Sequence, residues 1–115
     1  MSELKRLRDD LRLFAAERDW DQYHSPKNLA IALSVEAAEL LEPFQWLSEP
    51  DSSGLPPGDR ARVEEEIADV LLYLVRLADK LDVDLVAAAN RKMQLNAAKY
   101  PIGKARGKST KYTNL

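Results

Sequence analysis

Two carboxylate pairs are the residues best placed to do chemistry: Glu36-Ala37-Ala38-Glu39 and, after 26 intervening residues, Glu66-Ile67-Ala68-Asp69. The acids of each pair are three apart, and at about 100° per residue such a pair lies on one side of a helix. Both pairs sit inside apolar runs. With Glu36 at the origin of a helical wheel, Leu29, Leu33, Ala37, Leu40, Leu41 and Phe44 fill an arc from roughly 20° to 140°, and Glu39 falls at about 300°. With Glu66 at the origin, Ile67, Val70, Leu71, Leu74, Leu77 and Leu81 fill nearly the same arc, and Asp69 again falls at about 300°. Each pair borders the core-facing side in the same way, and the strings Glu-Ala-Ala-Glu-Leu-Leu and Glu-Ile-Ala-Asp-Val-Leu form a weak internal repeat.

If the two helices pack as neighbours, four carboxylates converge at the rim of a core, where they repel and resist desolvation unless a cation sits among them. Hard divalent cations that prefer oxygen, Mg²⁺ above all or Mn²⁺, suit that set. A ferritin-like di-iron site requires Glu-x-x-His, and the only histidine, His24, lies outside any such motif. The competing arrangement is pairing of Glu36, Glu39, Glu66 and Asp69 with Arg or Lys from other helices of an oligomer.

The elements that must position these groups are legible from periodicity. Leu4, Leu7, Leu11 and Phe14 predict an amphipathic helix from about Ser2 to Asp19. Ser25 before Pro26 reads as an N-cap with proline at the first helical position, starting a second helix that runs to the neighbourhood of Trp46. That helix is apolar nearly all round and is expected to be buried, with a kink or break at Pro43. Residues 48–58 read as a loop, Asp59 as the cap of a third helix, and Asp84 as the cap of a fourth that Pro101 stops. The expectation is an all-α four-helix bundle over residues 1–101 with an oligomeric core, followed by a flexible basic tail over 102–115.

Composition narrows the classes. The 115 residues are 45% hydrophobic and 31% charged, as in a folded domain, and without cysteine neither a disulfide nor a thiolate metal site can form. No signal peptide or membrane-length apolar run is present, which predicts a soluble, cytoplasmic protein with no membrane partner. The net charge of −2 combines an acidic body with a tail holding Lys104, Arg106, Lys108 and Lys111 and no acid. That distribution argues against a general nucleic-acid binder, although the tail could reach a phosphate.

The acidic signature resembles that of the MazG-like all-α nucleotide pyrophosphohydrolases. Phe14-Ala15-Ala16-Glu17-Arg18-Asp19-Trp20, His24-x-Pro26-x-Asn28-Leu29, Phe44-Gln45-Trp46, Asp69-Val70-Leu71-x-Tyr73-Leu74, Lys92-Met93, Tyr100-Pro101 and Lys111-Tyr112-Thr113 look like the dCTP pyrophosphatase branch over nearly the whole chain. The resemblance implies hydrolysis of a nucleoside triphosphate to the monophosphate and pyrophosphate, with Mg²⁺ held by Glu36, Glu39, Glu66 and Asp69. With no usable His or Cys in the acidic helices, the general base is a carboxylate or a metal-activated water, and Glu39 is the choice among the acids. Lys92 and Asn96 one turn apart, with Lys99, Lys108 and Lys111, are candidates for the phosphates. Tyr73, one turn beyond Asp69, can stack on a base, and Trp20 and Trp46 resemble the other walls of the base pocket, whereas core packing is the ordinary role of such rings.

Asn28 bonds either the helix start or the sugar, and His24 is read as structural. Two departures bear on the substrate: Leu11 stands where the resemblance implies a base-contacting histidine, and Pro43 interrupts a helix. dCTP or a related pyrimidine leads. The alternatives are dUTP or a damaged nucleotide, or a non-catalytic helical module that senses a nucleotide. The resemblance further implies a homotetramer built from dimers, with sites shared between protomers.

Overall fold

Every turn of the chain that the caps foretell is a turn of helix in the computed structural model, which describes residues 2–115 and contains no strand among them. Helix α1 spans Glu3–Glu17, and the Ser2 hydroxyl caps it by accepting from the Lys5 N–H at 3.2 Å. It ends in a left-handed turn at Asp19, φ 54°, where the Asp19 N–H donates to the Ala16 carbonyl and the Trp20 N–H to the Ala15 carbonyl. That pairing is a Schellman closure, and it fixes the direction in which Trp20 leaves the helix. A 3₁₀ turn over Asp21–Tyr23 follows, and then α2, Pro26–Leu41, capped by Ser25 as expected.

Helix α2 stops short of Trp46. Pro43 has no N–H to give the Glu39 carbonyl, which accepts instead from Glu42 at 3.2 Å, and residues 42–46 continue as turns. The segment expected to be a loop holds a short helix α3, Glu49–Ser52, because Ser48 caps it through the Asp51 N–H. Helix α4 spans Pro57–Lys80 and begins ahead of Asp59: Pro57 is its first residue and Asp59 lies within its first turn, where a carboxylate favours the helix dipole. Asp84 caps α5, Leu85–Lys99, as expected. Beyond it come a four-residue helix α6, Ile102–Ala105, and a 3₁₀ turn over Tyr112–Asn114.

The chain divides into two compact units, Met1–Asp82 and Val83–Leu115. In the first, α2 packs on α4 and α1 packs on α4, around a core of Ala15, Leu29, Val63, Val75 and Ala78. Leu29 is the one residue of α2 fully buried within this chain, so its own protomer does not by itself supply the burial expected of that helix. Ile31 and Val35 stay half exposed, as do Ile67, Leu71 and Leu74 on α4. In the second unit the expected structureless tail turns back on α5: the Tyr112 ring meets Tyr100 edge-on at 5.9 Å, and the Lys99 ammonium lies 4.7 Å from its centroid.

Candidate active site

The packing of α2 on α4 brings Glu36 and Glu39 to Glu66, each offering a carboxylate oxygen within 4.8 Å of the others. One oxygen of Glu36 and one of Glu66, both Oε2, are buried without any hydrogen-bond partner. Burial pushes the Glu36 carboxyl up to about 7, and the nearby Glu66 and Glu39 carboxylates and the charge of Asp69 push the same way. Among the described residues none of these four acids pairs with Arg or Lys; the ion pairs all lie elsewhere. Among these residues no cation of the same chain therefore offsets these charges.

A divalent cation fits this donor set. Bonds of about 2.0–2.6 Å place oxygens on opposite sides of an ion roughly 4–5 Å apart, the span over which the three oxygens already lie, and the orphaned lone pairs would be satisfied. Asp69 lies outside this trio of oxygens yet near enough for its charge to act on Glu36. One turn along α4 from Glu66, it lines an adjacent cavity of about 360 Å³ within the first unit.

Aromatic and aliphatic groups form the rest of that cavity: Leu11 and Phe14 from α1, Trp20 from the Schellman turn, and Tyr73 from α4. Phe14 and Trp20 meet edge-on at 5.7 Å, and the Arg18 guanidinium covers the Phe14 ring at 3.6 Å. The Tyr73 phenol is held above its ordinary value by burial and then by the charges of Glu36, Asp69 and Glu39, so it joins the cavity to the carboxylates. The cavity is thus walled in part by aromatic rings and lies beside the carboxylates.

Other sequence candidates fall elsewhere. Trp46, 88% exposed, is not among the residues that line this cavity; the chain leaves helical geometry at Pro43 before reaching it. Asn28 donates its side-chain N–H to the Tyr23 carbonyl at 2.9 Å and so serves the start of α2. Lys92, Asn96, Lys108 and Lys111 belong to the second unit, the first two one turn apart on α5 and Lys111 beside the anchored Tyr112.

Sequence reasoning missed a buried charged cluster at the other end of the cavity. Arg76, 5% exposed, donates from Nε to His24 Nδ1 at 3.2 Å and pairs with Asp21 and, at 3.5 Å, Asp79. Asp79 is gripped from α1 by Arg12 at 2.5 Å. The one available signal was a charge, Arg76, inside the apolar run from Val70 to Leu77; its partners His24 and Asp21 lie more than fifty residues away in sequence.

The profile of the MazG-like family matches residues 31–115, which includes both acidic pairs. The chain belongs to the MazG-like family. Within it the dCTP pyrophosphatase branch lies near: dCTP pyrophosphatase 1 of Mus musculus and of Homo sapiens are each 47% identical over 117 aligned residues, covering all of this chain and 67% of theirs. A crystal structure of a pyrophosphatase from Archaeoglobus fulgidus superposes with a TM-score of 0.82 at 45% identity, covering 88% of this chain and 94% of the other. The all-α class is thus the fold of this MazG-like chain, and its enzyme class is nucleoside triphosphate pyrophosphohydrolase. No helix among the described residues is long and apolar enough to cross a membrane.

Proposed function

We propose that this MazG-like chain hydrolyses dCTP or a related pyrimidine nucleoside triphosphate to the monophosphate and pyrophosphate in a Mg²⁺-dependent reaction, with Mn²⁺ an acceptable substitute. The observation that carries the reading is a carboxylate trio with orphaned buried oxygens directly beside an aromatic cavity. Glu36, Glu39 and Glu66 would hold the cation, with Asp69 completing the set from the cavity side. When bound, the cation neutralises triphosphate charge and makes a water easier to deprotonate. Glu39 takes the proton of the attacking water. Tyr73, Phe14 and Trp20 sandwich the base and exclude solvent from it. Lys92, Asn96, Lys108 and Lys111, in the second unit, carry donors suited to phosphates through charge-assisted hydrogen bonds.

The pocket's chemistry supports a pyrimidine more than it selects dCTP. Its volume, about 360 Å³, sits at the small end of ligand cavities, and Leu11 presents an apolar edge where a polar contact would discriminate. dUTP and damaged pyrimidines are accordingly the second reading.

The assembly proposed is a homotetramer built as a dimer of dimers. Ile67, Leu71 and Leu74 recur at i, i+4 and i+7 as an exposed stripe, and Ile31 and Val35 form another on α2. The exposed Trp46 then supplies a wall to the pocket of a neighbouring protomer. Pyrophosphate release from a panel of canonical and modified triphosphates, with and without Mg²⁺, tests the reading. Release from a pyrimidine triphosphate only when Mg²⁺ is present is expected; nucleotide binding without release at saturating Mg²⁺ would replace the enzyme with a sensing module.

A further inference from the structure

We propose that Arg76 is a positioning residue for the base pocket: through a neutral His24 it holds Trp20 against the cavity, so that protonation of His24 releases this wall and weakens nucleotide binding. The pocket's assignment to a base rests on the function proposed above; the hold on Trp20 does not.

Three observations meet at this point. The Arg76 Nε–H donates to His24 Nδ1, so that nitrogen carries a lone pair and the imidazole is neutral, with its proton on Nε2. Both His24 and Arg76 line the cavity, and the His24 ring lies edge-on to Trp20 at 6.3 Å. Arg76 itself cannot move freely, because Asp21 and Asp79 hold its other nitrogens while Arg12 holds Asp79 from α1. A rigid, buried guanidinium thus fixes the imidazole, and the imidazole backs the indole.

The groups facing His24 determine what protonation does. Arg76 and Lys80 approach from α4 and Asp21 from the 3₁₀ turn, while Asp10 and Asp69 line the same cavity from α1 and α4. Asp21 is already shared between Arg76 and Lys80. A proton on Nδ1 abolishes the acceptor and sets a cation against a guanidinium with no uncommitted carboxylate of the turn beside it. The segment from Trp20 to His24 is joined to α4 through these side chains, so it is the part that yields. Leu11, Phe14 and Tyr73 stand on α1 and α4 and keep their places, which leaves the chemistry at the carboxylates intact while the base loses one face.

The test uses the full chain carrying Trp46→Phe, so that Trp20 is the sole indole, and reads acrylamide quenching of its emission between pH 5 and 8 without nucleotide. KM and kcat for pyrophosphate release are measured on the corresponding proteins that keep Trp46. Because Trp20 is already 44% exposed, quenching is expected to rise by up to about twofold as the pH falls through a midpoint below the ordinary imidazole value, since burial and the Arg76 charge hold His24 down. His24→Asn, whose amide oxygen can still accept from Arg76, should show low quenching at every pH. Arg76→Met should show high quenching at every pH, with KM raised about tenfold, as for loss of a charge-assisted hydrogen bond, and kcat within a factor of two or so.

The ratio of wild-type KM to that of His24→Asn should climb as pH falls, a comparison in which titration of the carboxylates and of the substrate cancels. A His24→Asn protein with the wild-type pH dependence of quenching would overturn the proposal, as would Arg76→Met with wild-type quenching and KM. Should Arg76→Met fail to fold, the His24→Asn comparison decides alone. Absence of turnover in the wild type, with the quenching pattern intact, would remove the base-pocket assignment and leave Arg76 as the residue that positions Trp20.

Discussion

Glu36 is the residue whose state matters most. Its carboxyl, pushed up to about 7 from an ordinary 4.5, means that between those values the folded protein keeps a proton the unfolded chain has lost. The folded state binds more protons there, so this site's contribution to stability falls as pH rises from 4.5 to about 7 and stays low above it. Asp21 and Asp79, held below their ordinary value by Lys80 and Arg12 respectively, lose their contribution only on acidification below that ordinary range. His24, held down by burial, acts in the opposite direction to Glu36, so the informative comparison is with Glu36→Gln. In chelator, the melting temperature of the wild type relative to Glu36→Gln should decline between pH 5 and 8; millimolar Mg²⁺ at pH 8 should raise the wild type and leave the variant nearly unmoved. Glu39→Gln is expected to lower kcat by roughly 10²–10⁴, the range for loss of a general base, with helical circular dichroism retained. A fully active Glu39→Gln would take that residue out of proton transfer.

At the scale of elements, the helix starts do much of the positioning. Ser25 accepts from the Asn28 N–H at 3.1 Å, and Asn28 in turn donates to the Tyr23 carbonyl, so the entrance to α2 is tied to the turn that carries His24. Ser25→Ala should cost about 1 kcal/mol, seen as a fall of several degrees in melting temperature. The exposed pair of Arg62 and Glu42 at 2.5 Å, just past the end of α2, is expected to contribute less than that, because both side chains are half in solvent. Two helix ends close on left-handed aspartates, Asp19 and Asp82, where glycine is the commoner residue. The places of these ends follow from the loss of the helical period, but their left-handed closure was not legible from an Asp-Trp or Asp-Val dipeptide. The short α3 escaped for a related reason: its proline-rich surroundings carry a loop signal stronger than one serine cap.

The molecule as a whole carries more apolar surface than its own packing uses. The fully buried apolar residues of the first unit are Ala15, Leu29, Val63, Val75 and Ala78, a small core for a segment ending at Asp82. Leu71→Glu places a charge in the middle of the exposed α4 stripe and should split the proposed tetramer. Light scattering would then report a smaller particle than the wild type, and hydrolysis should fall with it if a neighbour's Trp46 walls the pocket. An unchanged mass and activity would mean that the stripe faces solvent.

The four acids, the aromatic residues and the helical periods were all present in the sequence, since helix geometry alone converts i, i+3 spacing into a shared face. Local chemistry likewise determined the caps at Ser25 and Asp84 and the end of α2 at Pro43, because each concerns backbone groups within one turn. Only the tertiary structure brought Glu66 of α4 to Glu36 and Glu39 of α2 and set Asp69 on the lining of the adjacent cavity. It alone assembled Arg12, Asp21, His24, Arg76 and Asp79, residues spread over three elements. The physical reason is range: spacing along one helix is a property of the chain, whereas the meeting of buried charges depends on the azimuth at which two helices pack, and no local pattern encodes it.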